Sequence, residues 1–139
     1  MRELNLFIGL SRTYLYIMRE TEQILREHDL TKGQFSVMEA LYHKGEMTAT
    51  ALRAKILATP GNLPVIIRNL VRDGYIDKRT DPRDKRSSLL TLTDSGRDKI
   101  EAVMPENERR IKRIIGVWDK AEQKEMLRLL KKFRREYYG

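Results

Sequence analysis

Apolar residues recur every three or four positions over residues 2–28: Leu4, Phe7, Leu10, Tyr14, Ile17, Met18, Ile24 and Leu25, with Thr21 in the same line. That spacing predicts one long amphipathic helix whose stripe packs into a core. Thr31 and Gln34 stand as a capping box, threonine at the N-cap and glutamine at the third helical position. The helix they open carries Phe35, Val37, Met38 and Leu41 and stops near Lys44-Gly45. Thr48 caps a short helix holding Leu52 and Ile56. Thr59-Pro60 predicts the next start, because proline at the first helical position loses no backbone bond. That helix extends to about Arg72, where Asp73-Gly74 ends it.

The pattern then changes. Tyr75-Ile76-Asp77-Lys78-Arg79 and Leu89-Leu90-Thr91-Leu92 carry β-forming residues, and Asp81-Pro82 between them favours a turn. A β-hairpin follows, with Arg83, Asp84, Lys85 and Arg86 at its tip. Two short helices with a tight joint, then a hairpin, give the order helix–turn–helix–wing. A further helix starts near Thr93-Asp94-Ser95 and carries Ile100, Val103, Ile111, Ile114 and Ile115. Pro105 falls inside it and predicts a kink or a break. Asp119 and Glu122 form a second capping box before a last helix with Met126, Leu127, Leu130, Phe133 and Tyr137. The expected fold is mainly α with a small β-hairpin wing. Long helices at both chain ends flank a compact middle. Their stripes are large for 139 residues, so burial against a second copy is the preferred arrangement, with mutual cover inside one monomer as the alternative.

Charge adds a direction. The net charge is +8, but residues 1–47 hold 6 basic and 7 acidic side chains, whereas residues 48–100 and 106–139 each hold 11 basic and 6 acidic. Basic character begins in the middle of the chain, and a basic surface attracts nucleic acid through its phosphates. There is no cysteine, which excludes disulfides, thiolate metal sites and thiol redox sensing. No apolar run approaches a membrane span, and the N-terminus lacks a signal-peptide pattern. A cytoplasmic protein with no membrane partner is expected.

On the helix ending at Arg72, Leu63, Ile66, Ile67 and Leu70 gather on one side. Gly61, Val65, Arg68 and Arg72 lie opposite, flanked by Asn62 and Asn69, with Thr59 at the start. Arginine grips guanine bidentately, asparagine grips adenine, and Val65 fits a thymine methyl. Gly61 lets the helix start approach a phosphate. On the wing, Arg83, Lys85 and Arg86 suit phosphates or a narrow minor groove. Asp84 would repel phosphate, so its expected task is to brace Arg86 or Arg68. An ordinary amphipathic surface helix would also be polar outside; the adjoining basic hairpin favours DNA.

Residues 30–100 resemble the winged helix-turn-helix core of the MarR (multiple antibiotic resistance regulator) family. The resemblance is carried by Leu30-Thr31 with Gln34-Phe35, Thr48 leading to Leu52, Gly61-Asn62-Leu63, Leu70 to Ile76, and above all Arg79 to Arg86 leading into Leu92-Thr93-Asp94-Ser95-Gly96. It implies a homodimer joined through residues 1–30 and 101–139, with a DNA-binding domain over residues 31–100. Recognition helices would enter major grooves of double-stranded DNA, as in a transcriptional repressor. It also implies a small-molecule effector site between the dimerisation helices and the DNA-binding lobe, for which Tyr14, Met18, Phe35 and Met38 are the candidates; core packing is their ordinary role. Pro64 departs from the family, which commonly has threonine there. A proline five positions into a helix costs about 3 kcal/mol if fully interior, and less in the first turn.

Nothing points to an enzyme or a cofactor. His28 and His43 have no metal-ligand spacing, the eight glycines form neither a Walker A loop nor a GxGxxG turn, and Glu39 with His43 reads as a surface pair. Lys131-Lys132 and Arg134-Arg135 form a basic strip that suits phosphates or an anionic membrane, or simply a solvated face. The expected protein is a sequence-specific DNA-binding regulator; the alternative is a winged-helix protein-interaction module that has lost DNA, with Pro64 as its symptom.

Overall fold

The computed structural model describes residues 1–56 and 62–139. The elements are α1 (Arg2–Glu27), α2 (Lys32–Lys44), β1 (Met47–Thr48), α3 (Ala49–Lys55), α4 (Leu63–Arg72), β2 (Ile76–Asp81), β3 (Asp84–Leu92), α5 (Asp94–Ile115) and α6 (Lys120–Tyr137). Both capping boxes form. Thr31 accepts from Gln34 N while Gln34 accepts from Thr31 N. Asp119 and Glu122 exchange the same pair of bonds. Each box satisfies two backbone donors that a helix start would leave open.

The core lies in the middle of the chain. Val37, Met38, Leu41, Leu52, Leu70, Ile76, Leu90, Ile100 and Val103 are fully buried. They come from α2, α3, α4, the hairpin and the first half of α5, so these elements pack as one lobe. Leu25 and Leu30, at the end of α1 and just beyond it, join the same cluster.

Three expectations need correction. First, α4 begins at Leu63 with Asn62 as its N-cap, and Pro64 sits in its first turn. There the missing N–H has no intrahelical acceptor to lose, so the penalty of an interior proline does not apply. The expected start at Thr59-Pro60 lies outside the described residues. Second, α5 runs through Pro105 without a break. Val103 and Asn107, on either side, are both buried. Third, the wing strands are longer than expected. β2 pairs with β3 from Ile76↔Leu92 to Asp81↔Asp84, with an irregularity at Thr80/Asp81. Only Pro82 and Arg83 turn the chain, so Asp84, Lys85 and Arg86 lie on a strand. Buried Asp81 closes this tight turn by accepting from Arg83 N at 2.9 Å. A third, two-residue strand, β1, pairs with β3 and gives the sheet order β1-β3-β2. Two residues are too few to leave a pattern in the sequence.

The stripe of α1 is buried only toward its C-terminal end. Thr21, Ile24 and Leu25 are covered, but Leu4, Phe7, Leu10 and Tyr14 are exposed, Phe7 to 66%. Core packing within the monomer therefore fails for its N-terminal half. No residue of α6 is buried, and Leu127, Leu130, Phe133 and Tyr137 all face out. The two chain ends do not cover each other. Where α1 does meet α5, two polar links hold it: Arg110 Nη1 donates to Glu20 Oε2 at 2.7 Å, and His28 Nε2 lies 3.1 Å from Glu106 Oε2.

Candidate nucleic-acid interface

Helix α4 docks through Ile67 and Leu70, which are buried, and Leu63 and Ile66, which are half-buried. That packing fixes which side faces out. Asn62, Arg68 and Arg72 are exposed, while Val65 and Asn69 are half-buried. Arg68 has no carboxylate within ion-pair distance among the described residues, so its guanidinium is available. Arg72 is engaged: its Nε donates to Asp73 Oδ1 at 3.2 Å. Thr59 and Gly61 lie outside the described residues. The helix thus presents a short polar row whose orientation is set by its apolar side.

The wing supplies the cations. Arg83, Lys85 and Arg86 are all exposed. Asp84 Oδ1 accepts from Arg86 N at 3.0 Å and from Arg86 Nε at 3.2 Å. Of the two partners weighed for Asp84, the geometry gives Arg86. The bond orients a side chain that is otherwise 92% exposed, which lowers the entropy lost when it meets a phosphate. Sequence reasoning missed a second tie: Arg79 Nη2 donates to Glu46 Oε2 at 2.9 Å and links β2 to the segment before β1. It also passed over Arg53 and Lys55, exposed cations in the last turn of α3. Their only sequence signal is charge on a short helix just ahead of α4.

The four effector candidates differ in burial. Met38 and Phe35 belong to the core, and Met38 has no exposed surface. Tyr14 is exposed and its hydroxyl accepts from Lys32 Nζ at 3.2 Å; Met18 is half-buried. A cleft of about 680 Å³ opens elsewhere, between α1 and α5, lined by Arg12, Tyr16, Ile17, Arg113, Ile114 and Trp118 among others. Periodicity alone did not distinguish these residues from ordinary helix packing. Among the described residues, no group of three His, Asp or Glu side chains is placed to hold a metal ion, and no helix is long and apolar enough to cross a membrane.

A capped two-helix unit, an outward polar row on its second helix and a cationic β-hairpin define a winged helix-turn-helix DNA-binding transcriptional regulator. Residues 19–103 match the family of transcriptional regulators SarA/Rot. The chain is 30% identical to the HTH-type transcriptional regulator YkoM of Bacillus subtilis, an alignment that spans 94% of this chain and 85% of that protein. A MarR-like transcription regulator from Bacillus cereus has the same fold, with a TM-score of 0.89 at 23% identity and 99% coverage of both chains. BpsR of Bordetella bronchiseptica, whose DNA binding is regulated by 6-hydroxynicotinic acid, gives 0.79 at 26% identity over 93% of this chain and 98% of that one. The chain belongs to the SarA/Rot family of transcriptional regulators.

Proposed function

We propose that the chain works in the cytoplasm as a homodimer that grips a pseudo-palindromic operator and releases it when a small molecule binds. The observation that carries the dimer is the apolar surface left bare at both chain ends, on Leu4, Phe7, Leu10, Leu127, Leu130 and Phe133. Exposed apolar area of that extent marks an association surface. Residues 1–30 and 101–139 form the dimerisation module, and residues 31–100 read the DNA. A closed two-fold dimer sets two recognition helices about one helical turn apart, roughly 34 Å, in successive major grooves.

In each half-site Arg68, Asn62 and Val65 read base edges. Arg72 and Asn69 border them. Arg83, Lys85 and Arg86 lie along phosphates or the minor groove, with Asp84 holding Arg86 in place. Pro64, in the first turn of α4, leaves the helix intact and removes the sequence reason for expecting lost DNA binding. Release by a small molecule is supported by the ligand control of BpsR.

Arg86→Ala, which removes two contacts from the dimer, is expected to weaken binding to a duplex selected by the native protein by roughly tenfold or more and to reduce the salt slope by about 2. Sedimentation should show the dimer unchanged. Unaltered affinity in a gel-shift titration would remove the wing from the interface.

A further inference from the structure

Helix α6 carries an apolar arc and, beside it, a line of basic residues. Met126, Leu127, Leu130, Phe133 and Tyr137 fill one arc. Beside that arc, Lys120, Lys124, Arg128, Lys131 and Arg135 fall on one line at spacings of four, four, three and four. All five are exposed. Lys132 and Arg134 flank the line, and Glu125 and Glu136 lie beyond it. Only Arg128 is engaged, donating to Glu125 through Nε at 2.9 Å and Nη2 at 2.6 Å. Among the described residues no carboxylate reaches the other four. Like charges one turn apart oppose helix formation. The Glu125 pair and the helix C-terminus offset that cost for Arg128 and Arg135, but Lys120, Lys124 and Lys131 gain neither.

We propose that this line is a second nucleic-acid surface, which holds the phosphates of a duplex other than the segment read by α4. Its length supports that partner. Fifteen residues at about 1.5 Å each span roughly 22 Å. Duplex DNA carries one charge per ~1.7 Å of axis, so about thirteen phosphates lie along that distance. A membrane fits less well, because a basic amphipathic helix binds lipid by burying its apolar arc. The dimer proposed above occupies that arc, and the choice between the two partners rests on it. Phosphate binding needs only the charged side, which stays free in either state.

The test measures anisotropy of a long random-sequence duplex with the full-length protein at low salt. An Arg68→Ala/Arg86→Ala protein, with its operator face weakened, should still bind. Adding Lys124→Gln, Lys131→Gln and Arg135→Gln should reduce that binding at least tenfold. The salt slope should fall by about 2 to 3, since each phosphate left unneutralised lowers it by ~0.9. The three glutamine substitutions alone should leave affinity for a short selected duplex within about twofold, with sedimentation and helical content unchanged. Failure of operator recognition would show in the short duplex, and failure of the second surface in the long one. Equal binding of the random duplex with and without the three glutamines overturns the proposal. So does a loss confined to phosphatidylglycerol vesicles with duplex binding unmoved, which would assign the line to a membrane.

Discussion

Raising salt from 50 to 200 mM is expected to reduce affinity for a selected duplex by roughly 10³–10⁵, the loss that accompanies neutralisation of about 6–10 phosphates. The expectation comes from the kind of side chain on the interface. Arg68 on α4 and Arg83, Lys85 and Arg86 on the wing are exposed cations, and a dimer presents each of them twice. Binding releases the counterions condensed on the phosphates they replace, and added salt opposes that release. In the proposed complex Asn62 and Val65 would meet bases without charge and would carry almost none of the dependence. A flat salt profile would mean that the cations face solvent and that affinity comes from elsewhere.

The second large effect concerns the fold and runs against helix propensity. Gly96 is the third residue of α5, where alanine ordinarily stabilises a helix by about 1 kcal/mol. Here a Cβ would collide with the carbonyl oxygen of Tyr75 and lie 2.9 Å from its carbon. That carbonyl cannot retreat: it accepts from Thr93 N at 3.1 Å, and Thr93 Oγ1 donates to Gly74 O at 2.6 Å. The same Thr93 hydroxyl caps α5 by accepting from Gly96 N. One joint thus seats α5 on the foot of the wing. Gly96→Ala is expected to destabilise the protein by about 3 kcal/mol, as an overpacked core site does. The midpoint of thermal unfolding should fall by roughly 10 °C at fixed protein concentration. An unchanged or raised midpoint would show that the joint can open.

Much of the fold is legible in the sequence because helix starts carry local chemistry. The pairs Thr31/Gln34 and Asp119/Glu122 announce their helices, and both form as reciprocal caps. The start of α4 is harder to place because two prolines give the same signal. Pro60 after Thr59 and Pro64 after Asn62-Leu63 both suit a first turn, and a propensity argument cannot choose between them. The wing is foreseeable, but its length is not. Asp84 to Ser88 are weak β-formers on their own; the turn closed by Asp81 carries the ladder through them. Strand propensity reports packing and pairing more than backbone preference.

At the interface, the types of side chain are legible and their engagement is not. Sequence leaves Asp84 with two partners, and spacing of two along a strand decides for Arg86. Nothing in the pattern indicates that Arg72 is held by Asp73 while Arg68 is free of any carboxylate among the described residues. The α1 stripe shows the same limit. Periodicity demands that Leu4, Phe7 and Leu10 be covered, but it does not say by which chain.

The proposed dimer reads DNA through paired α4 helices and wings. Selection of bound duplexes from a random pool by the purified protein tests it most directly. The expected result is enrichment of an inverted repeat with half-site centres about one helical turn apart, roughly 34–36 Å, and loss of that enrichment in Arg68→Ala. A pool that yields no enriched sequence, or a single asymmetric element bound by a monomer, would contradict it.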